Sequence, residues 1–317
     1  MAHRPKVVYY DNIQNDEFSS ARIRARRIDG TYRYLRRGFF ARAAHFLLYR
    51  VLAMPLAFLY LELRFGHRIR GRRALCALRR GQGCYLFGNH TQPAADALIP
   101  TMVAFPRDAY VIVHPANVSM PVLGRLTPYL GALPLPDDLP AGRAFLGALA
   151  AHAEAGHAVC VYPEAHIWPF CTFIRPFSDK AFAYPVRADV PVFCFTNTYR
   201  PRLFGRGVRL VTFVDGPFYP DKALSPGAAR TALRDVVYDT MCRRAREENR
   251  VTVVDYRPRL AKTPPAAGAE APETPAATPA ARPSQTPPAA GAEAPEMPST
   301  DPSDLPAASP LGKEIHP

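Results

Sequence analysis

The stretch Gly-Asn-His-Thr-Gln-Pro-Ala-Ala-Asp, residues 88–96, places an imidazole and a carboxylate close together in the chain. It follows the apolar run Cys84–Phe87, which predicts a buried strand. A neutral imidazole can take up a proton near neutral pH, and a carboxylate on its other nitrogen fixes the tautomer. His90 and Asp96 are therefore candidates for acid–base chemistry. A single histidine after a strand is more often structural, so the pair needs support from elsewhere in the chain.

A second polar cluster, Pro-Glu-Ala-His-Ile-Trp-Pro-Phe at residues 163–170, follows another apolar run, Ala158–Tyr162. In open α/β folds, ligands gather beyond the carboxyl ends of the strands. Two polar clusters in equivalent positions favour a functional site over a purely structural role.

The step from His90 to Asp96 is six positions, which leaves the two side chains about 120° apart on a regular helix. They cannot meet on one continuous helix, so we predict that their contact is made across a turn. Pro93 marks the place, because proline favours the first position of a helix. Thr91 or Gln92 would then cap the helix, and His90 would fold back over Asp96 in its first turn.

Helices and strands alternate along the predicted chain. Strands are predicted at Cys84–Phe87, Ala109–His114, Ala158–Tyr162, Val190–Thr196 and Arg209–Val214, and helices at Pro93–Val103, Ala141–Gly156 and Pro226–Asn249. This order predicts an α/β fold, a mostly parallel sheet flanked by helices. Before it, residues 21–46 alternate arginine with Ile, Tyr and Phe, which fits an N-terminal amphipathic helical membrane-binding segment. A helix packed on the protein's own core, with a solvated basic face, is the equal alternative.

Four stretches together resemble the motifs of the glycerolipid acyltransferase family, which includes the 1-acylglycerol-3-phosphate acyltransferases. They are Asn89-His90 with Asp96, the stretch Leu130–Asp138 with its leading glycine, Pro163-Glu164-Ala165, and the Val-Pro stretch Asp189–Phe195. Their order and spacing are similar to the family's over about residues 80–200. The family has four residues between the histidine and the aspartate, whereas this chain has five.

The resemblance implies an acyltransferase that moves a fatty acyl chain from acyl-CoA or acyl carrier protein to a hydroxyl of a lysophosphatidate-like acceptor in phospholipid synthesis. His90 would be the general base and Asp96 its partner. Neither a nucleophilic side chain nor a cofactor is needed, because the acceptor hydroxyl attacks directly. The resemblance gives substrate-binding roles to Asn89, Gly131 and Glu164, the last by ordering the site or holding acceptor hydroxyls. A non-catalytic membrane-surface lipid-binding protein that retains the fold is the alternative.

The sequence departs from the family at the positions where arginines are thought to hold the acceptor's phosphate. Ala165-His166-Ile167 replaces Gly-Thr-Arg, and Leu130–Asp138 contains no arginine. Arg175, eleven residues after Glu164, is the candidate substitute in substrate binding, and Arg143 is a weaker one. A surface salt bridge is the alternative role of Arg175.

Composition divides the chain into three parts. Residues 263–317 are mostly Pro, Ala, Glu, Ser and Thr, with the string TPPAAGAEAPE starting at Thr263 and again at Thr286, and we predict a disordered tail. Residues 1–65 are predicted to form basic amphipathic helices that associate with membranes, and residues 66–262 an α/β acyltransferase core. The tail carries seven acidic and two basic residues, so without it the formal charge rises from +13 to +18.

A folded part with a charge of +18 implies an anionic partner. No zinc-ligand spacing, helix-turn-helix or RNA-binding motif accompanies the charge, so we expect no nucleic acid and favour an anionic membrane surface. The longest uncharged run of the N-terminal part is the eleven residues Val51–Leu61, shorter than the roughly 20 of a spanning helix. We therefore expect peripheral binding at the cytoplasmic face of the cell membrane.

Six cysteines without CxxC spacing predict free, mostly buried thiols in a reducing compartment. No metal site is expected, because the remaining histidines lack the close helical spacing of ligands, and we place them on helix surfaces. These histidines are His114, His152, His157 and His166. Trp168 is expected either in the core or along an acyl groove.

Overall fold

The computed structural model describes residues 4–18, 23–202 and 207–259. The chain divides at Ala261 into two units, and the second, Lys262–Pro317, lies outside the described residues together with the predicted disordered tail. The first unit holds a seven-stranded sheet, a two-stranded sheet and their flanking helices.

The seven-stranded sheet is mostly parallel. In chain order the strands are β1 (Lys6–Tyr10), β2 (Arg68–Arg70), β3 (Cys84–Gly88), β4 (Ala109–Val113), β5 (Ala132–Pro134), β6 (Ala158–Val161), β7 (Val192–Pro201), β8 (Val208–Phe218) and β9 (Val254–Pro258). The large sheet has the order β2-β8-β7-β3-β6-β4-β5, and every neighbouring pair is parallel except β7 and β8. The predicted α/β fold with a mostly parallel sheet is confirmed.

Helices cover both faces of this sheet. They are α1 (Phe39–His45), α2 (Met54–Phe65), α3 (Ile99–Ala104), α4 (Leu123–Leu126), α5 (Leu139–Glu154), α6 (Ala183–Ala188) and α7 (Pro226–Glu248). Alternate side chains of β3 enter two separate cores, as the pleat of a strand requires. Tyr85 and Phe87 pack with residues of α5 and α7, whereas Cys84 and Leu86 pack with residues of α2 and α3.

The helix predicted at Pro93–Val103 is shorter in the structure. Residues 93–98 form turns and one 3-10 turn, and the α-helix is confined to α3. The cause is Asp96, whose carboxylate accepts the backbone N–H groups of Thr91 and Gln92 at 2.7 Å each and holds the chain in a turn.

Residues 23–38 contain no helix, which corrects the prediction of basic helices for this stretch. The backbone N–H of Ile28 donates to Asp137 at 2.6 Å, and the hydroxyl of Tyr34 donates to the carbonyl oxygen of Pro134 at 3.0 Å. Ile28 and Tyr34 are both buried in the main core. Arginine and apolar residues alternate here with a period near two. This period places the apolar side chains on one side of an extended chain, whereas an amphipathic helix needs a period near 3.6.

Phe39–Phe65 is one continuous helix of 27 residues, formed by α1, a π-helical stretch and α2. Among the described residues it is the one helix long and apolar enough to cross a membrane, with a mean hydropathy of 1.6 over an 18-residue window, and it is mostly exposed. The charged residues that interrupt its apolar run are paired: Arg50 with Asp108, and Glu62 with Arg68. Peripheral binding, which was inferred from the eleven uncharged residues alone, stays a prediction.

The two-stranded parallel sheet of β1 and β9 has no counterpart in the sequence-based prediction. It packs against Trp168, which is fully buried with its ring 5.0 Å from that of Tyr10 and 4.8 Å from that of Tyr256. The indole N–H donates to the carbonyl oxygen of Asp16 at 2.8 Å. Trp168 is therefore a core residue and not part of an acyl groove.

All six cysteines are free thiols, as predicted. Cys84, Cys160, Cys171 and Cys194 are buried, and Cys76 is exposed. Burial raises the pKa of Cys84 to about 12, so that this thiol stays protonated near neutral pH.

His152 is buried on α5, so the prediction of a helix-surface histidine is wrong for this residue. Its ring stacks on Tyr110 with the centroids 3.6 Å apart, and its Nε2 has no hydrogen-bond partner among the described residues. Burial, aided by the charges of His157 and His45, lowers the pKa of His152 to about 4.

We predict that His152→Phe makes the fold less sensitive to acid. The pKa of His152 is lower in the folded state than the ordinary 6.5, so as the pH falls below 6.5 the unfolded chain binds a proton that the folded chain does not. Between pH 7.5 and pH 5, wild type should lose roughly 1–2 kcal/mol more unfolding free energy than His152→Phe. Urea unfolding at both pH values measures this, with His114→Phe at an exposed histidine as the control. Equal losses in wild type and His152→Phe would contradict the prediction.

Candidate active site

His90 and Glu164 lie just beyond the carboxyl ends of neighbouring parallel strands. β3 ends at Gly88 and β6 at Val161, and Phe87 pairs in register with Val161. The backbone N–H of His90 donates to Glu164 Oε2 at 3.0 Å. The two polar clusters that follow these strands are thus in direct contact.

The side chain of His90 is bonded through one ring nitrogen only. Its Nδ1 lies 2.9 Å from Asp96 Oδ2, and no hydrogen bond among the described residues involves Nε2. The His90 side chain is 18% exposed. The contact is made across the turn at Pro93, as the six-position spacing predicts.

Asp96 is 1% exposed, and all of its side-chain partners are donors. Oδ2 accepts from His90 Nδ1 and from the backbone N–H groups of Thr91 and Gln92, and Oδ1 accepts from Asn197 Nδ2 at 3.2 Å. An ionised carboxylate is an acceptor only, so these four bonds require the hydrogen of the neutral His90 ring to be on Nδ1. Nε2 then carries a lone pair and can act as a base.

Tyr162 covers one face of the His90 ring. The two rings are stacked with their centroids 4.4 Å apart and their planes 19° apart, and the Tyr162 hydroxyl donates to the backbone carbonyl oxygen of Asp96. Burial raises the pKa of Tyr162 well above its usual value, so the hydroxyl stays protonated. Tyr162 therefore fixes the ring plane of His90.

Glu164 orders the backbone on both sides of the site. Its Oε2 accepts from the backbone N–H of His90, and its Oε1 accepts from the backbone N–H of Arg175 at 2.9 Å. Burial raises the pKa of Glu164, and the Arg175 guanidinium opposes this shift. Of the two roles considered for Glu164, the geometry supports the ordering of the site.

Arg175 lies behind Glu164 and is 1% exposed, so it does not form a surface salt bridge. Its Nη2 is 3.4 Å from Glu164 Oε2 and also donates to the carbonyl oxygen of His166. The guanidinium carbon lies 4.9 Å from the centroid of the Trp168 ring. An acceptor phosphate in solvent has no access to this guanidinium as it is placed.

Asn89 and Gly131 differ in their position relative to His90. Asn89 is buried, and its side chain exchanges two hydrogen bonds with the backbone of Asn197, at 2.8 and 3.1 Å, which ties β3 to β7. Gly131 precedes β5 and lies at the amino edge of the parallel strands, opposite His90. Its φ is +89°, and a Cβ there would approach the carbonyl oxygen of Ala109 to 2.5 Å, which explains the glycine without a substrate.

The sequence reasoning missed Asn197. It lies on β7, where Thr196, Asn197 and Thr198 are all fully buried in a strand that otherwise resembles the apolar strands. Asn197 and Thr198 bond through their side chains, whereas Thr196 Oγ1 has no hydrogen-bond partner among the described residues. Three adjacent polar residues in an apolar strand are the signal that points to this position, because buried polar groups are usually bonded.

A cavity of about 460 Å³ opens between α2 and the edge of the sheet. Its lining is mainly apolar, with basic residues at one side, and includes Phe58, Leu61, His67, Arg68, Arg72 and Met102. Because α2 belongs to the exposed apolar helix, the cavity adjoins an exposed apolar surface. The described residues contain no group of three or more His, Cys, Asp or Glu side chains that could hold a metal ion.

No family model matches this chain, and no curated protein matches its sequence. The chain is similar in structure to the 1-acyl-sn-glycerophosphate (LPA) acyltransferase PlsC from Thermotoga maritima. The two share 17% sequence identity with a TM-score of 0.46, over 67% of this chain and 85% of that one. These values do not establish membership of a family or a shared reaction.

We predict that Arg175→Met destabilises the fold by about 3–5 kcal/mol, because it leaves Glu164 buried without its partner. The double variant Arg175→Met/Glu164→Gln removes the unpaired charge and should recover part of this loss, since the glutamine oxygen replaces one of the two acceptors that Glu164 offers to the backbone N–H groups of His90 and Arg175. Urea unfolding at pH 7.5 measures both. The control is Arg143→Met, at an exposed arginine of α5, which should change the unfolding free energy by less than about 0.5 kcal/mol. An Arg175→Met protein as stable as Arg143→Met would show that the buried pair does not form.

Proposed function

We propose that this chain is an acyltransferase that moves a fatty acyl chain from a thioester donor to a hydroxyl group of a lysophospholipid-like acceptor. The observation that carries the proposal is His90, whose Nδ1 is held by Asp96 while no hydrogen bond among the described residues involves Nε2 and the side chain is 18% exposed. This is the arrangement that a general base requires, since one nitrogen is oriented and the other is available to a substrate proton.

In the proposed reaction, His90 Nε2 takes the proton of the acceptor hydroxyl as the oxygen attacks the thioester carbonyl carbon. The new C–O bond gives a tetrahedral intermediate, and the Asp96 carboxylate stabilises the imidazolium. When the C–S bond breaks, the thiolate receives the proton from His90. The products are an ester and a free thiol, and His90 returns to its neutral form.

Direct attack by the acceptor fits the surroundings of His90. Among the described residues, no serine or cysteine side chain is bonded to His90. Cys160 on β6, the strand next to β3, is fully buried, and burial raises its pKa well above the usual value. An acyl-enzyme intermediate therefore has no evident nucleophile here, and the acceptor hydroxyl supplies the attacking oxygen.

The exposed apolar helix and the charge of the chain support a lipid acceptor at a membrane surface. Phe58 and Leu63 on α2 are 62% and 67% exposed, and Arg68 and Arg72, which follow the helix, line the same cavity as Phe58. Basic residues next to an apolar helical face suit an anionic bilayer. We propose binding to an anionic membrane at its cytoplasmic side, with acyl-CoA or acyl carrier protein as donor.

The departures at the expected arginine positions favour one rival, a non-catalytic lipid-binding protein. Arg175 is buried beside Glu164, and the stretch Leu130–Asp138 contains no arginine. Thiol release from acyl-CoA, with and without lysophosphatidate, separates the readings. Release that depends on the acceptor supports the transferase, release without acceptor indicates a hydrolase, and the absence of release supports the rival.

We predict that His90→Ala lowers acceptor-dependent thiol release by about 10²–10⁴-fold, the usual contribution of a general base. The rate is measured with saturating acyl-CoA and lysophosphatidate. His157→Ala, at a partly exposed histidine on the amino edge of the sheet, is the matched control and should retain the wild-type rate. A folded His90→Ala protein that is as active as His157→Ala would refute the proposed role.

We predict that Phe58→Glu/Leu63→Glu abolishes flotation with anionic liposomes, because two charges would enter the apolar layer with α2. The control Val7→Glu/Val236→Glu, at two exposed apolar residues away from this helix, should float like wild type. Wild-type flotation should weaken at high salt, since arginines near an anionic surface contribute about 1 kcal/mol each. If the α2 variant floats as well as its control, the membrane anchor lies elsewhere.

A further inference from the structure

A row of buried polar side chains crosses four neighbouring strands of the sheet and ends at Asp96. His67 Nε2 lies 2.8 Å from Thr212 Oγ1, and Thr212 Oγ1 donates to Asn197 Oδ1 at 2.7 Å. Asn197 Nδ2 then donates to Asp96 Oδ1 at 3.2 Å. All four side chains are buried among the described residues.

Strand register explains this row. The strand order β2-β8-β7-β3 is also the order of the four residues, because His67 precedes β2, Thr212 is on β8, Asn197 is on β7, and Asp96 follows β3. Thr212 and Asn197 are direct cross-strand partners, so their side chains are on the same face.

His67 is placed by the end of the exposed apolar helix. After α2, Gly66 adopts φ +53°, its N–H donates to the carbonyl oxygen of Glu62, and the N–H of His67 donates to that of Leu61. This pair of bonds is a glycine C-cap that ends the helix and fixes the direction of the next residue. The row therefore begins at the end of the helix Phe39–Phe65.

The direction of every hydrogen bond in the row follows from the carboxylate. Asp96 only accepts, so Asn197 must present its amide nitrogen to Asp96 and its oxygen to Thr212. The single hydroxyl hydrogen of Thr212 is then used on Asn197, and His67 must donate to Thr212 from Nε2. Burial lowers the pKa of His67 to about 4, so the ring is neutral near pH 7 and its one N–H is at Nε2.

We infer that Thr212 and His67 are positioning residues for the His90–Asp96 pair, an inference that rests on the proposed function. Asn197 is the one side chain other than His90 that bonds the Asp96 carboxylate among the described residues. An asparagine amide can turn over, and in the reversed orientation its oxygen would face the carboxylate. The hydroxyl hydrogen of Thr212 prevents this, and His67 keeps that hydrogen directed at Asn197.

The decisive variant is Thr212→Val, which keeps the shape of the side chain and removes the hydroxyl. It should lower kcat by about ten- to a hundredfold, because the base is less well oriented, with little change in KM for donor or acceptor. Thr212→Ser keeps the hydroxyl and should restore most of kcat. Thr198→Val is the matched control, since Thr198 is equally buried on β7 but donates to the carbonyl oxygen of Val211. It should retain the wild-type kcat.

The outer residue is tested by His67→Phe and His67→Gln. Phenylalanine removes the donor and should lower kcat by less than Thr212→Val does, because one step of the row remains. The glutamine amide restores a donor and should recover part of the loss. Equal kcat in wild type, His67→Phe and His67→Gln would remove His67 from the proposal.

An NMR measurement that does not depend on activity separates the positioning role of Thr212 from the proposed reaction. The proton on His90 Nδ1, identified by its absence in His90→Ala, should give a slowly exchanging imidazole resonance in wild type and in Thr198→Val. In Thr212→Val this proton should exchange faster. If Thr212→Val leaves both the resonance and kcat unchanged, the inference is overturned. A wild type without acceptor-dependent thiol release would refute the proposed reaction, while the resonances would still show whether Thr212 holds the pair.

Discussion

The buried carboxylate of Asp96 is the constraint on which the local structure depends. A carboxylate removed from water is tolerated only when its oxygens are bonded, since the desolvation of an ion costs several kcal/mol. Asp96 meets this requirement with two backbone N–H groups, one ring nitrogen and one amide. The backbone bonds form the turn after β3, and the ring bond orients His90. The group that would stabilise an imidazolium thus also builds the loop that carries the imidazole.

Glu164, at the end of the neighbouring strand, is a second buried carboxylate that needs hydrogen-bond donors. Its oxygens take the backbone N–H groups of His90 and Arg175, and its charge is opposed by the Arg175 guanidinium. Two buried carboxylates therefore hold His90 from different sides, one through its backbone and one through its ring. Arg175 is 1% exposed, so a phosphate group at the site would have to meet other cations.

Much of the fold could be predicted from sequence because buried parallel strands give continuous apolar runs, as at Cys84–Phe87, and because Pro93 marked the turn that joins His90 to Asp96. Contacts between distant segments could not be predicted. The burial of Ile28 depends on Asp137, and the burial of Arg175 depends on Glu164. The alternation of arginine and apolar residues before α1 suggests an amphipathic helix, but its period near two belongs to a non-helical chain. Local sequence patterns predict helices and strands, whereas the residue that pairs with a given charge depends on the tertiary fold.

The row of hydrogen bonds from His67 to Asp96 also connects the end of the apolar helix to the orientation of His90. The end of this helix packs Leu61 and Phe65 in the core, and its glycine cap at Gly66 places His67 against the sheet. Each side chain of the row donates its hydrogen towards Asp96, because the carboxylate at the far end only accepts. A displacement of the helix end would therefore cost a buried hydrogen bond at Thr212, and the free energy that orients His90 includes the seating of the helix on the sheet.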